Sequence, residues 1–198
     1  MSHRIITIER EYASGGREIG EMIAERLGIP CYNREILQMA SERCNVSMEY
    51  LETAEEAAPK SFLYTLMLTS SPTRTIEENL PLSDKVYIIE TNIIRELAEK
   101  EPCVIVGRCA DFILQDRTDC LKVFVHADMK FRADRIVRVY GEREKSPEAR
   151  LKEKDKRRAA YYRFYTDMNW GDAANYHIAL DSGVIGIEKC AKVIESLA

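Results

Sequence analysis

Four short apolar runs, Arg4 to Ile8, Cys103 to Val106, Leu121 to His126 and Tyr176 to Leu180, punctuate a chain whose other hydrophobic positions recur at helical spacing. Such runs read as strands and the 3.6-residue periodicity between them as helices. Their alternation predicts a parallel sheet with helical crossovers, an α/β fold. The runs from Cys103 and Leu121 are almost continuously apolar, the pattern of strands covered on both faces, so they are expected at the centre of the sheet.

After the first strand, Ile19, Met22, Ile23 and Leu27 share one face of a helix from Gly16 to Leu27, which Gly28-Ile29-Pro30 terminates. Asn33 to Arg43 predicts a second helix. Ser47 to Ala57 adds a capping-type start and an acidic first turn. Pro59, Ser70-Ser71-Pro72 and Pro81 then interrupt the pattern repeatedly, and residues 33–82 read as a mostly helical insertion between the first two main strands. Phe62 to Leu68, apolar at nearly every position, is either a buried helix or an interface. Lys85 to Lys100 forms a helix leading into the second main strand, and Asp128 to Tyr140 is amphipathic through Phe131, Ile136 and Val139.

With 198 residues, 45% of them hydrophobic, the chain is long enough for one core, and a single domain over 1–198 is expected. The net charge of −4 lacks the positive field that nonspecific nucleic-acid binding requires. Any anion site must therefore be local, and one stretch stands out. Pro147 to Tyr165 gathers Arg150, Lys152, Lys154, Lys156, Arg157, Arg158 and Arg163 with few acids. The six cysteines have no zinc-ligand spacing and read as reduced thiols packed among hydrophobic residues. No leader pattern and no apolar stretch of membrane-spanning length occurs, so a cytoplasmic protein without membrane or nucleic-acid partners is expected.

The first strand runs through Ser14-Gly15-Gly16-Arg17-Glu18 into the first helix. Helix N-terminal amides preceded by glycines form an anion site, and an arginine there can grip phosphate oxygens in a fork. The phosphate-loop pattern G-x-x-x-x-G-K-[ST] is matched poorly: Arg10 stands at its first glycine and Gly16 at its lysine. By itself the segment could equally be a simple turn.

Over Ile5 to Pro30, however, it resembles the opening of cytidylate kinases, especially the divergent set called cytidylate-kinase-like, which carries a similar S-G-G-R-E string. Val104-Ile105-Val106-Gly107-Arg108 resembles the strand and Gly-Arg turn whose arginine binds the acceptor's phosphate. Leu121 to Ala127 with the helix after it, Lys154-Asp155-Lys156-Arg157-Arg158 with Tyr161-Tyr162, and Ile178 to Ser182 resemble that family's next strand, its mobile lid and its last strand. The resemblance implies a three-layer P-loop kinase fold with a helical acceptor-binding insertion and a lid over residues 142–170. It also implies an ATP- and Mg²⁺-dependent phosphotransferase acting on a nucleoside monophosphate such as CMP or dCMP.

Within that resemblance Ser14, Gly15, Gly16, Arg17 and Glu18 hold the ATP phosphates, and Asn33, Arg108 and Asp111 hold the acceptor. Arg157, Arg158 and Arg163 belong to the lid, and Arg17, Arg157 and Arg158 are the catalytic cations. Glu18, where a magnesium-binding hydroxyl usually stands, either binds Mg²⁺ or orients Arg17. Asn33 replaces an aspartate of the family, Cys109 replaces an acid for which Asp111 substitutes, and Tyr161 replaces a lid arginine for which Arg163 stands in. Tyr161, Tyr162, Phe164, Tyr165 and Trp170 either stack on a base or dock the lid helix or a second subunit, so a homodimer stays open. His3, His126 and His177 show no partner pattern and receive no catalytic role. Two rival readings remain: a nucleotide-binding regulator with little turnover, and a kinase for another small acceptor.

Overall fold

The computed structural model describes residues 3–49, 51, 82–141 and 146–198. Five parallel strands form one sheet: β1 (Ile5–Arg10), β2 (Cys31–Tyr32), β3 (Cys103–Val106), β4 (Cys120–His126) and β5 (Ile178–Asp181), in the order β2-β3-β1-β4-β5. Ile5 of β1 lies opposite both Cys103 and Cys120, so the carboxyl ends of the three central strands finish along one edge. That edge is where open α/β sheets bind ligands.

Side-chain alternation explains the continuously apolar central strands. Ile6 and Ile8 of β1, Val104 and Val106 of β3, and Val123 and Val125 of β4 pack against helix α1 (Gly16–Leu27) and the C-terminal helix α8 (Ile187–Glu195). Ile5, Cys103, Ile105 and Cys120 face the other way, onto α2 (Arg34–Cys44), α3 (Leu82–Lys100) and the short α4 (Ala110–Ile113). The sheet is thus the middle of three layers, and both of its faces are dry. Helices α5 (Met129–Arg138) and α6 (Pro147–Thr166) rise beyond the strand ends, followed by the single turn α7 (Ser182–Ile185) after β5.

Strand β2, only two residues long, and the short helices α4 and α7 go beyond the four strands and the helical segments expected after them. Most of the insertion expected over residues 33–82, including Ser47 to Ala57 beyond Leu51 and the apolar Phe62 to Leu68, lies outside the described residues. Among the described residues all six cysteines are free thiols, and no helix is long and apolar enough to cross a membrane.

Candidate active site

A cavity of roughly 240 Å³ opens at the carboxyl ends of β1 and β3, under helix α6. Arg10 enters it from β1, Arg108 from the turn after β3, and Lys154, Arg157 and Arg158 from α6. Five cationic side chains thus converge in a chain whose net charge is −4. Asn33 and Glu9 contribute polar groups, while Tyr161, Tyr162 and Trp170 add aromatic walls.

Arg108 is positioned by its backbone and by two partners. Its φ of +61 places it in the left-handed region, as does Cys109 after it. Such strained residues persist only where surrounding contacts hold them. The guanidinium pairs with the buried carboxylate of Glu90, and its Nε donates to the Asn33 carbonyl at 3.3 Å. Asn33 caps α2 by position only, since its side chain makes no capping hydrogen bond and lies in the cavity lining.

Arg158 links the cavity to the glycine loop. Its Nη1 donates to the Arg10 carbonyl at 3.0 Å, and its guanidinium lies 5.3 Å from the centre of the Tyr12 ring. Burial, and after it the Arg10 guanidinium, push its pKa down to about 9. It therefore remains a cation at neutral pH, crowded by a like charge that an anionic ligand would offset.

The glycine loop has the conformation an anion site needs. Gly15 is the N-cap of α1 with φ +87, and no side chain caps the first turn, whose amides lack intrahelical partners. The φ of Gly15 is one that side-chain-bearing residues rarely adopt, so glycine is favoured there by conformation, and a Cβ would also displace the tip of Ile187 2.7 Å away. Ser14, by contrast, is turned inward. Its hydroxyl lies 2.9 Å from the Glu11 carbonyl and 3.1 Å from that of Val125, and Ser182 Oγ donates to the Ser14 carbonyl. Its side chain fixes the loop and leaves ligand contact to the backbone.

Arg17 is turned toward solvent. It lies on the solvent face of α1, its Nε donating to Glu21 one helical turn on at 2.7 Å, and it does not line the cavity. The cation beside the loop is Arg135 of α5, which pairs with Glu18 at 2.7 Å. Glu18 is therefore paired with Arg135 and not with Arg17. Asp111 likewise sits behind the cavity wall, buried in the first turn of α4, where it accepts a 2.6 Å hydrogen bond from Tyr162. Arg163 points away from the cavity toward Asn169 and Asp167.

The lid helix is more firmly seated than its charge suggests. Leu151, Tyr162 and Tyr165 are buried, Tyr165 stacks on Tyr87 of α3 at 3.9 Å, and its hydroxyl donates to Asp84. Of the two readings of the aromatic run, docking describes Tyr165 and the buried Tyr162, while Tyr161, Tyr162 and Trp170 line the cavity. Asp155 latches the helix to the loop by accepting the Tyr12 amide at 2.7 Å and pairing with Arg132 of α5. Replacing Asp155 by alanine is expected to cost about 1.5–3 kcal/mol, the range for charge-assisted hydrogen bonds, and to raise trypsin cleavage within α6 several-fold. An unchanged cleavage rate would show that aromatic packing alone holds the helix.

The profile of the cytidylate kinase-like family matches residues 5–184. The chain belongs to the cytidylate kinase-like family. An uncharacterized protein from Eubacterium ventriosum is similar at 28% identity, with 97% of this chain and 96% of that one covered and a TM-score of 0.70. Shikimate kinases from Bacteroides thetaiotaomicron and Acinetobacter baumannii, the latter solved with shikimate, are each 14% identical, with TM-scores of 0.55 and 0.53. They cover 98% of this chain, which covers 97% and 91% of theirs, and at that identity they report the fold alone. No curated protein matches the sequence. This cytidylate kinase-like chain thus has the P-loop kinase fold and is a nucleotide-kinase-type phosphotransferase.

Proposed function

We propose that the protein transfers the γ-phosphoryl group of ATP to a nucleoside monophosphate, with CMP and dCMP as the first acceptors to examine. The observation that carries this reading is the convergence of Arg10, Arg108, Lys154, Arg157 and Arg158 in one cavity beside the glycine loop. Two polyanions can approach each other only where their charge is neutralised, and phosphoryl transfer asks little else of a protein.

In this reading the ATP phosphates meet the uncapped first turn of α1, with Arg135 replacing the absent loop lysine. Arg108 holds the acceptor's phosphate. Arg158, hydrogen-bonded to the Arg10 carbonyl at the cavity edge, and Arg157 neutralise the group in flight. Arg17 drops out of the proposed catalytic set because it is engaged with Glu21 on the exposed side of α1, and Arg163 drops out of the proposed lid contacts because it turns toward Asn169 and Asp167. Asp111 acts through Tyr162, and residues 147–166 serve as the closing element.

Magnesium would neutralise the ATP phosphates. Glu18 would hold it only by giving up its pairing with Arg135, and no step here depends on a metal held by the protein.

The test incubates γ-labelled ATP with a panel of nucleoside monophosphates. Labelled CDP or dCDP is the expected product. ATP binding without transfer to any acceptor would instead identify a nucleotide-binding regulator, and transfer confined to a different small molecule would correct the acceptor.

A further inference from the structure

Glu9 is an acid in a cavity built for anions. It is the penultimate residue of β1, is buried, and lines the same cavity as the five cations. Among the described residues, its side chain's hydrogen bond from the Trp170 indole N–H at 3.2 Å and its ion pair with Arg10 Nη1 at 3.8 Å both fall on Oε2. The other oxygen, Oε1, is the acceptor that remains for a ligand.

A carboxylate here cannot face the acceptor's phosphate without repulsion. Nor does a phosphate acceptor need it as a base, because a phosphate monoester with a second pKa near 6 is already ionised at neutral pH. It must meet a neutral part of the ligand that carries a hydrogen-bond donor. Trp170, Tyr161 and Tyr162 line the cavity with Glu9, and aromatic walls around a single acceptor suit a flat heterocycle.

We propose that Glu9 reads an exocyclic amino group on the acceptor's base, so that the site prefers cytosine or adenine monophosphates to those of uracil or thymine. This rests on the nucleoside-monophosphate reading above. Cytosine presents an amino group where uracil presents a carbonyl, and a carboxylate donates no hydrogen bond to that carbonyl. A site that leaves a buried charged group unpaired rejects the wrong ligand more strongly than it attracts the right one.

Trp170 is the only tryptophan of the chain and donates to Glu9, so its fluorescence reports on this cavity directly. Titration of the full chain with CMP and UMP is expected to show CMP binding at least about tenfold tighter, the scale of one hydrogen bond to a charged group. In Glu9→Gln the amide keeps an oxygen for the Trp170 N–H and can turn its NH₂ toward the uracil carbonyl. The CMP preference should then shrink to within about threefold, mostly through tighter UMP binding. Should Glu9→Gln not fold, Glu9→Asp, with the carboxylate withdrawn, should weaken CMP about tenfold and leave UMP unchanged.

Equal affinities in the wild type, an unaltered ratio in Glu9→Gln, or equal losses for both nucleotides in Glu9→Asp would overturn the proposal. The same holds if Glu9→Gln abolishes turnover with binding intact, which would make Glu9 part of the chemistry. Transfer to CMP and UMP with equal efficiency sinks the role of Glu9 alone, whereas failure of the wild type to bind either nucleotide sinks the acceptor reading with it.

Discussion

Replacing Arg108 by alanine is expected to destabilise the protein by about 3–5 kcal/mol and to abolish phosphoryl transfer, two losses with separable causes. The first comes from Glu90, whose side chain is 1% exposed and which the substitution deprives of its guanidinium. Removing one partner of a buried ion pair costs this much because the remaining charge stays desolvated. The second comes from the cavity, which loses the cation that rises directly from the end of β3. Combining Arg108→Ala with Glu90→Gln replaces the stranded charge by a neutral amide and should recover most of the stability. It should recover none of the activity, because the acceptor's phosphate still has no partner. Urea denaturation and the transfer assay on the three variants distinguish these effects. If the double variant stays as unstable as Arg108→Ala, Arg108 acts on the fold through packing and its left-handed turn. If activity returns with stability, Arg108 does not contact the acceptor.

The same site shows why parts of it were legible in the sequence and parts were not. Arg108 follows a buried apolar strand through a glycine turn, so its place at the sheet edge follows from local order. The position of Arg17 also had a local signal: Glu21 lies four residues on, and such a pair shares one helix face, opposite the buried Ile19 and Ile23. Glu9 was obscured because the apolar run ends at Ile8, while the strand continues to Arg10. Strand parity then turns Glu9 to the face of Ile5 and Thr7, toward α4 and Asp111, and Arg10 to the other face. Pairings between distant segments left no local trace. Arg135 reaches Glu18 across 117 positions, and Asp155 finds the Tyr12 amide across 143. Strand β2 escaped for a different reason: two residues paired only with Val104 and Ile105 cannot display a period.

Stability should fall as pH rises from about 4 to about 7, and Asp111→Asn should remove most of that fall, leaving the part due to Asp84, whose pKa burial also raises. Burial, and after it the charge of Glu9, raise the Asp111 pKa to about 7, against a hydrogen bond from Tyr162 that favours the ionised form. An unfolded aspartate titrates near 4, so between these values the folded protein holds a proton that the unfolded chain has released. Stability is therefore fully present below about pH 4 and is lost progressively up to about pH 7, by at most about 4 kcal/mol. Asparagine retains an oxygen for the Tyr162 hydroxyl and has no proton to lose. Urea midpoints at pH 4 should then be similar for the two proteins, and near pH 8 the variant should be more stable by a few kcal/mol. A wild-type profile that is flat or rises over this window would refute the assignment. Glu9→Gln adds a second constraint, because removing that charge lowers the Asp111 pKa while burial still holds it above 4. The fall should then end at lower pH without vanishing, which ties the acid beneath the cavity wall to the acid that lines it.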